Sequence, residues 1–254
     1  MTQKLFAAES GSGDQTVVLL HGFGGWHGIW NEITAALAAG SRVFAYDLPG
    51  HAGSLDWPDA GPAKVAARAI LADLEARGIA KAHLVGHSMG GAIAALAALM
   101  QPDRAATLTL LAPGGFGEEI NGPLLRRYAA ARSREEISAC LTLMSGPGFT
   151  LPDQAVDAFV KMRSAPGQTE KLVEIGAAIT KDDKQGVIPR ELLAGLTMPV
   201  AVAWGTEDTV LPYRQTVGLP GNFMLHSVGG AGHMLPEEVP GKVIDIIRRN
   251  SGVV

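Results

Sequence analysis

Ala82-His83-Leu84-Val85-Gly86-His87-Ser88-Met89-Gly90-Gly91-Ala92-Ile93-Ala94-Ala95-Leu96 is the stretch whose reading decides the fold. Ala82 to Gly86 reads as a short apolar strand, and Met89 to Leu96 as the start of a helix built from small and apolar residues. Only the turn Gly86-His87-Ser88-Met89-Gly90 separates them, a G-x-S-x-G pattern in strand–turn–helix context. Such a turn forces its central residue into strained backbone angles and lifts the hydroxyl clear of the sheet. The residues two positions away on either side must then be nearly bare, as Gly86 and Gly90 are. Ser88 would also sit at the positive end of the helix, where developing negative charge is favoured. The competing reading is a glycine-rich turn with an N-capping serine, in a chain that holds 32 glycines.

Working outward, short apolar runs alternate with helical spacing, the pattern of a parallel sheet covered on both faces. The predicted strands are Val17–Leu20, Val43–Tyr46, His83–Val85, Leu108–Leu111, Val200–Trp204 and Phe223–Val228. Between them lie helical sets such as Trp30, Ile33 and Leu37, or Val65, Ala69 and Leu74, and a last helix is expected from about Pro236. From about Gly114 to Gly195 helical patterns continue without a convincing strand, punctuated by Pro123, Gly146, Pro147, Gly148, Pro152, Pro166 and Gly167. The expected organisation is therefore an α/β core of residues 1–113 and 196–254, with 114–195 inserted as a helical cap or lid. Met144, Phe149, Phe159 and Met162 are its candidate pocket-wall residues.

A serine nucleophile needs partners. Val17-Val18-Leu19-Leu20-His21-Gly22-Phe23-Gly24-Gly25 is a strand running into a glycine-rich loop. The backbone N–H groups of Phe23 in that loop and of Met89, next to the serine, are the candidate oxyanion donors. A dinucleotide loop is the rival, since Asp47 ends the next strand. His27, however, stands where the third glycine of G-x-G-x-x-G belongs. Of the 7 histidines, His87 is expected to point away from the turn. His21, His27, His51 and His83 read as structural hydrogen-bonders, and His226 lies in a strand. His233, in Gly229-Gly230-Ala231-Gly232-His233-Met234-Leu235-Pro236, follows the last strand and can reach over the strand ends as general base. Asp208, after Val200-Ala201-Val202-Ala203-Trp204, is the candidate orienting acid, with Glu207 as the competing carboxylate. The chain order Ser, Asp, His differs from both protease orders.

Composition bounds what else the chain could do. Lys and Arg number 21 against 25 Asp and Glu, with no basic run, so nucleic acid is not an expected partner. Cys140 is the single cysteine and reads as a small buried helix residue; disulfides within the chain and thiolate metal clusters are excluded. The N-terminus has neither a basic start nor an apolar stretch, and the longest apolar run, Ala92 to Met100, is too short to span a bilayer. A cytoplasmic protein that needs no metal or organic cofactor, and has no membrane partner, is expected.

These residues together resemble the α/β-hydrolase superfamily over nearly the whole chain. The motifs His21-Gly22-Phe23-Gly24-Gly25, Asp47-Leu48-Pro49-Gly50-His51, Gly86-His87-Ser88-Met89-Gly90-Gly91, Trp204-Gly205-Thr206-Glu207-Asp208 and Gly230-Ala231-Gly232-His233 occur in order. The segment Leu110 to Gly122, with Gly114-Gly115-Phe116-Gly117, is similar to the hydrolase-like C-terminal domain of the acyltransferase component of acetoin dehydrogenase. It also resembles the carbon–carbon bond hydrolases of aromatic degradation. The chain shows no lipoyl domain and no H-x-x-x-D-G motif of the usual dihydrolipoyl acyltransferases. The resemblance implies an acyl-enzyme on Ser88 and a small-molecule acyl substrate: an apolar ester, thioester or diketone. Transfer to a thiol such as dihydrolipoamide or coenzyme A is the alternative, and a non-catalytic hydrolase-fold module the third reading.

Overall fold

The computed structural model describes residues 4–253. Its centre is a seven-stranded sheet: β1 (Ala7–Ser10), β2 (Gln15–Leu20), β3 (Ser41–Tyr46), β4 (Ala82–His87), β5 (Ala105–Leu111), β6 (Val200–Gly205) and β7 (Phe223–Val228). The strand order is β1-β3-β2-β4-β5-β6-β7. β1 runs antiparallel to β3, and every other pairing is parallel. All the expected strands are present; β1 is an addition. Every residue of β4 and β6 is buried, as it must be when helices cover both faces of a parallel sheet.

The covering helices fall into two sets. α1 (Asn31–Leu37) packs with α10 (Pro240–Ser251), and α2 (Ala63–Ala76) packs with α3 (Met89–Met100). The side chains of Val243, Ile246 and Ile247 are buried at the helical spacing expected for the last helix. That helix is preceded by a separate turn, α9 (Leu235–Glu238), and Pro240 then starts α10, where a missing N–H costs nothing.

Between β5 and β6 come α4 (Gly122–Ala130), α5 (Arg134–Met144), α6 (Asp153–Arg163), α7 (Gln168–Ile179) and the short α8 (Arg190–Ala194). α4 packs on α7 and α5, and α6 packs on α5 and α7, forming a helical layer of their own. α8 instead packs against α3 of the core. Local chemistry starts these helices: Asn121 caps α4 through the Leu124 amide, and Ser133 with Glu136 forms a capping box on α5. The buried Arg163 guanidinium donates to the carbonyls of Tyr128, Ala129 and Ala131 and lies 4.1 Å from the Tyr128 ring centroid, tying α6 to the end of α4. Gln168 joins this layer to the core, accepting from the Ala52 amide at 2.7 Å and donating to the Gly50 carbonyl at 3.0 Å.

β4 is central in the sheet, so the turn that follows it is fixed by neighbours on both sides. Ser88 has φ +53° and ψ −118°, a strained combination for a residue with a side chain. The turn closes only because Gly86 and Gly90 are bare. A methyl at Gly86 would strike the Gly90 carbonyl, and one at Gly90 would strike the Leu20 carbonyl at the end of β2. Backbone cannot yield as a flexible side chain can. Gly90→Ala should therefore destabilise the protein by about 2 kcal/mol or more, lowering Tm by roughly 4–8 °C. Thermal unfolding followed by circular dichroism reads this directly, and an unchanged Tm would show that the β2–α3 approach is looser than described.

Candidate active site

Ser88, at the C-terminal edge of the sheet, makes no side-chain hydrogen bond among the described residues and faces two cavities. Met89 begins α3, and Phe23 lies in the loop after β2. Among the described residues neither of their backbone N–H groups is used in another hydrogen bond. The loop is held in place by histidines. His21 accepts from the Leu48 amide at 3.0 Å and donates to the Gly22 carbonyl at 2.7 Å. His51 accepts from the Gly24 amide at 3.1 Å and donates to the Pro49 carbonyl. Asp47 accepts from the amide and ring of His27 and from the Gly53 amide, so this carboxylate is fully engaged within the core.

His233 comes to the same place from the loop after β7. Its Nδ1 donates to Asp208 Oδ2 at 2.8 Å, and both side chains are buried. The other oxygen, Asp208 Oδ1, accepts from the amides of Val210 and Leu211 at 2.8 Å each. The carboxylate is thereby held rigid. The bond to Nδ1 fixes the imidazole tautomer, leaving the Nε2 lone pair free. Glu207, the competing carboxylate, is exposed, and its side chain meets only Thr206 among the described residues.

Two side chains around His233 escaped the sequence. His87 does not point away from the turn: its Nε2 donates to the His233 carbonyl at 2.8 Å, and its ring centroid lies 5.0 Å from that of His233. The peptide direction at the strained Ser88 turn carries the preceding side chain toward the histidine loop. Glu238 binds three amides, with Oε2 accepting from Gly146 at 2.9 Å and Gly232 at 2.8 Å, and Oε1 from Met234 at 2.9 Å. It joins the histidine loop to the turn after α5, a link reinforced by the His233 amide donating to the Met144 carbonyl at 2.7 Å. The acidic pair Glu237-Glu238 was the only signal, and spacing alone does not reveal partners that are backbone groups.

The larger cavity is a cleft of about 440 Å³ between core and helical layer, walled mainly by Ile120, Leu125, Ile179, Ile188 and Leu211, with Lys64 at its edge. The smaller, of about 20 Å³, lies on the His233 side and has room for about one water molecule. Met144 and Phe159 line it, together with Tyr128, His87 and Glu237; Phe149 and Met162, also expected at a pocket wall, line neither cavity. Phe149 packs against the core instead. Cys140 is buried in α5, as expected.

Residues 17–246 match the model of the alpha/beta hydrolase family. The chain belongs to that family. It is 35% identical over 233 residues to a dihydrolipoyllysine-residue acetyltransferase component of an acetoin cleaving system from Pseudomonas putida, a match covering 92% of this chain and 62% of the relative. A 2-hydroxy-6-oxo-6-phenylhexa-2,4-dienoate hydrolase from Burkholderia cepacia is 30% identical over 241 residues, 89% of this chain and 83% of that one. Among solved structures, a meta-cleavage product hydrolase from Pseudomonas fluorescens IP01 superposes with a TM-score of 0.87 at 22% identity, covering 98% of this chain and 94% of that one. No helix of the described residues is long and apolar enough to cross a membrane.

Burial sets the electrostatics around the site. It is the main cause lowering His21 from 6.5 to about 4, and His51 and His87 from 6.5 to about 3. Burial is likewise the main cause raising the Glu237 carboxyl from 4.5 to about 8, with the Glu238 charge adding to it. The three histidines stabilise the fold fully above 6.5, and that stability is lost as pH falls toward their folded values. Glu237 acts in the opposite sense, its contribution fading as pH rises from 4.5 through 8. Each group contributes a slope of about 1.4 kcal/mol per pH unit within its window. Below 6.5 three protons outweigh one. Unfolding free energy measured in urea should peak near pH 6.5, fall steeply on the acid side and fall gently up to pH 8. Glu237→Gln should flatten the alkaline limb and steepen the acid limb between pH 4.5 and 6.5, where the carboxyl opposes the histidines; an unchanged alkaline limb would show that the carboxyl ionises freely.

Proposed function

We propose that the protein is a serine hydrolase working through an acyl-enzyme, with Ser88 as nucleophile, His233 as general base and Asp208 as the acid that orients it. The buried 2.8 Å bond between His233 Nδ1 and Asp208 Oδ2, beside a cavity that His233 shares with the strained Ser88, is the observation that carries this reading. Ser88 Oγ attacks a substrate carbonyl as His233 Nε2 takes its proton. The oxyanion is stabilised by the Phe23 and Met89 amides. His233 then protonates the leaving group, and the carbonyl reforms as an ester on Ser88. Water, deprotonated by His233, attacks that ester, releasing the acid and restoring the serine.

The cleft favours a medium-sized apolar ester, thioester or diketone. The dienoate named for the Burkholderia cepacia relative is an anion, whereas neither lysine nor arginine lines the small cavity of this chain. A neutral substrate end suits that cavity better. Helices α4 to α7 serve as the cap that closes over the substrate. Acyl transfer to a thiol is the second reading, favoured by the identity to the acetoin-system component. Partitioning of product between water and added dihydrolipoamide or coenzyme A distinguishes the two.

A fluorophosphonate should label Ser88, and Ser88→Ala should lose on the order of 10⁶ in kcat with the fold intact. Asp208→Asn should lose about 10⁴ through the wrong imidazole tautomer, and Glu207→Gln nearly nothing. Labelling at another serine, or a reversed order of the two acid variants, would overturn the assignments.

A further inference from the structure

Adjacent glutamates at the end of the histidine loop have opposite fates. Glu238 is bound by three amides, whereas both carboxyl oxygens of Glu237 are buried without a hydrogen-bond partner on another of the described residues. An unpartnered buried carboxyl is costly in a folded protein. Glu237 lines the small cavity together with Ser88 and His233, facing Tyr128 of α4, whose phenol donates to the Gly24 carbonyl. Its titratable neighbours are His233 and His87 from the loop and turn, Tyr128 from α4, and Glu238 from its own helix. The buried Arg163 guanidinium of α6 packs on the Tyr128 ring and donates to the carbonyls of Tyr128, Ala129 and Ala131, but it does not line the cavity, and no residue lining it carries a fixed positive charge. The other walls, including Ile29, Leu125, Met144 and Phe159, are apolar.

We propose that Glu237 is a specificity-determining residue that hydrogen-bonds a neutral oxygen, a hydroxyl or carbonyl, near the tip of the substrate's departing arm, the water-sized group of that arm for which the small cavity has room. This rests on the serine-hydrolase reading, because the departing arm must lie on the His233 side to receive its proton. A carboxylic acid offers one donor and one acceptor, and so matches either kind of oxygen. It is kept neutral near pH 7 by the same burial that denies it partners. A carboxylate on the arm would bring a second acid into a site without a cation. An alkyl arm would leave both Glu237 oxygens unsatisfied.

The test uses octanoate esters whose alcohol arms are matched in size: 2-hydroxyethyl against propyl, 2-oxopropyl against isobutyl, with carboxymethyl and 2-dimethylaminoethyl as charged arms. The parent should favour the hydroxyl and keto arms over their alkyl counterparts about tenfold in kcat/KM at pH 7; above about pH 8, as the carboxyl ionises and loses its donor, the keto preference should decline while the hydroxyl preference persists. Glu237→Gln, which keeps a donor and an acceptor, should retain the preference and make it independent of pH. Glu237→Leu should bring the ratio to about one. Fluorophosphonate labelling of Ser88 is run on every variant, so that loss of the nucleophile or of folding is separated from loss of selectivity. A Glu237→Leu enzyme that is labelled and still prefers the oxygen-bearing arms overturns the proposal, as does a parent that prefers the charged amine arm. Absence of labelling in the parent would overturn the serine-hydrolase reading instead.

Discussion

The left-handed backbone at Ser88 is the constraint on which the rest depends. A residue with a side chain holds φ near +53° only where its surroundings leave no alternative. Here the surroundings are the β2 carbonyls under Gly90, the strand end at Gly86, and the Gly22 loop close against His87 and Ser88. None of these can move without opening the β2–β4 pairing. The strain is thus carried at the end of a fully buried central strand, and its effect is to present a hydroxyl with no competing partner among the described residues.

Around that fixed point the mobile chemistry is brought in by loops and then immobilised by backbone hydrogen bonds. Asp208 is held by two amides, Glu238 by three, and the His233 amide is tied to the Met144 carbonyl. Two of these ties, Glu238 to Gly146 and His233 to Met144, join the histidine loop to the end of α5. The helical layer and the His233 imidazole are therefore joined through backbone hydrogen bonds, so displacement of one would move the other. Buried neutral histidines serve the same end on the other side, where His21 and His51 brace the loop that carries Phe23.

The core strands and the Ser88 turn were legible because they are local: apolar runs and bare glycines carry their own physical reasons. β1 was not, because Ala7–Ser10 has little apolar pattern and becomes a strand only through antiparallel pairing with β3. Asp208 was readable from its place after β6. Only the fold shows that it, and not Glu207, turns inward. The inward turn of His87 and the amide cradle of Glu238 depend on groups up to 146 residues away, beyond the reach of any spacing rule. The helical stretch before β6 was visible as a break in alternation. Which of its aromatic residues would reach the cavity was not: Phe159 does, and Phe149 turns to the core. Helical periodicity marks a buried face without saying what buries it.

The unequal cavities on either side of Ser88 bear on the choice between hydrolysis and transfer. On the proposed acyl-enzyme reading, deacylation would need a nucleophile on the His233 side, where its proton can be taken, and the small cavity there has a volume of about 20 Å³. Once the departing arm has left, that space admits one water beside His233, with the Glu237 carboxyl able to hydrogen-bond it. A thiol on a long carrier arm would need to thread past Tyr128 and Phe159 or enter through the larger cleft, which that reading gives to the acyl group. On the proposed serine-hydrolase reading, this geometry favours water over a bulky thiol. Transfer becomes competitive only if the helical layer swings open after acylation, and the ties from Gly146 and Met144 to the histidine loop mean that such an opening would disturb the base itself. Water, on the same reading, needs no such opening and would leave His233 undisturbed.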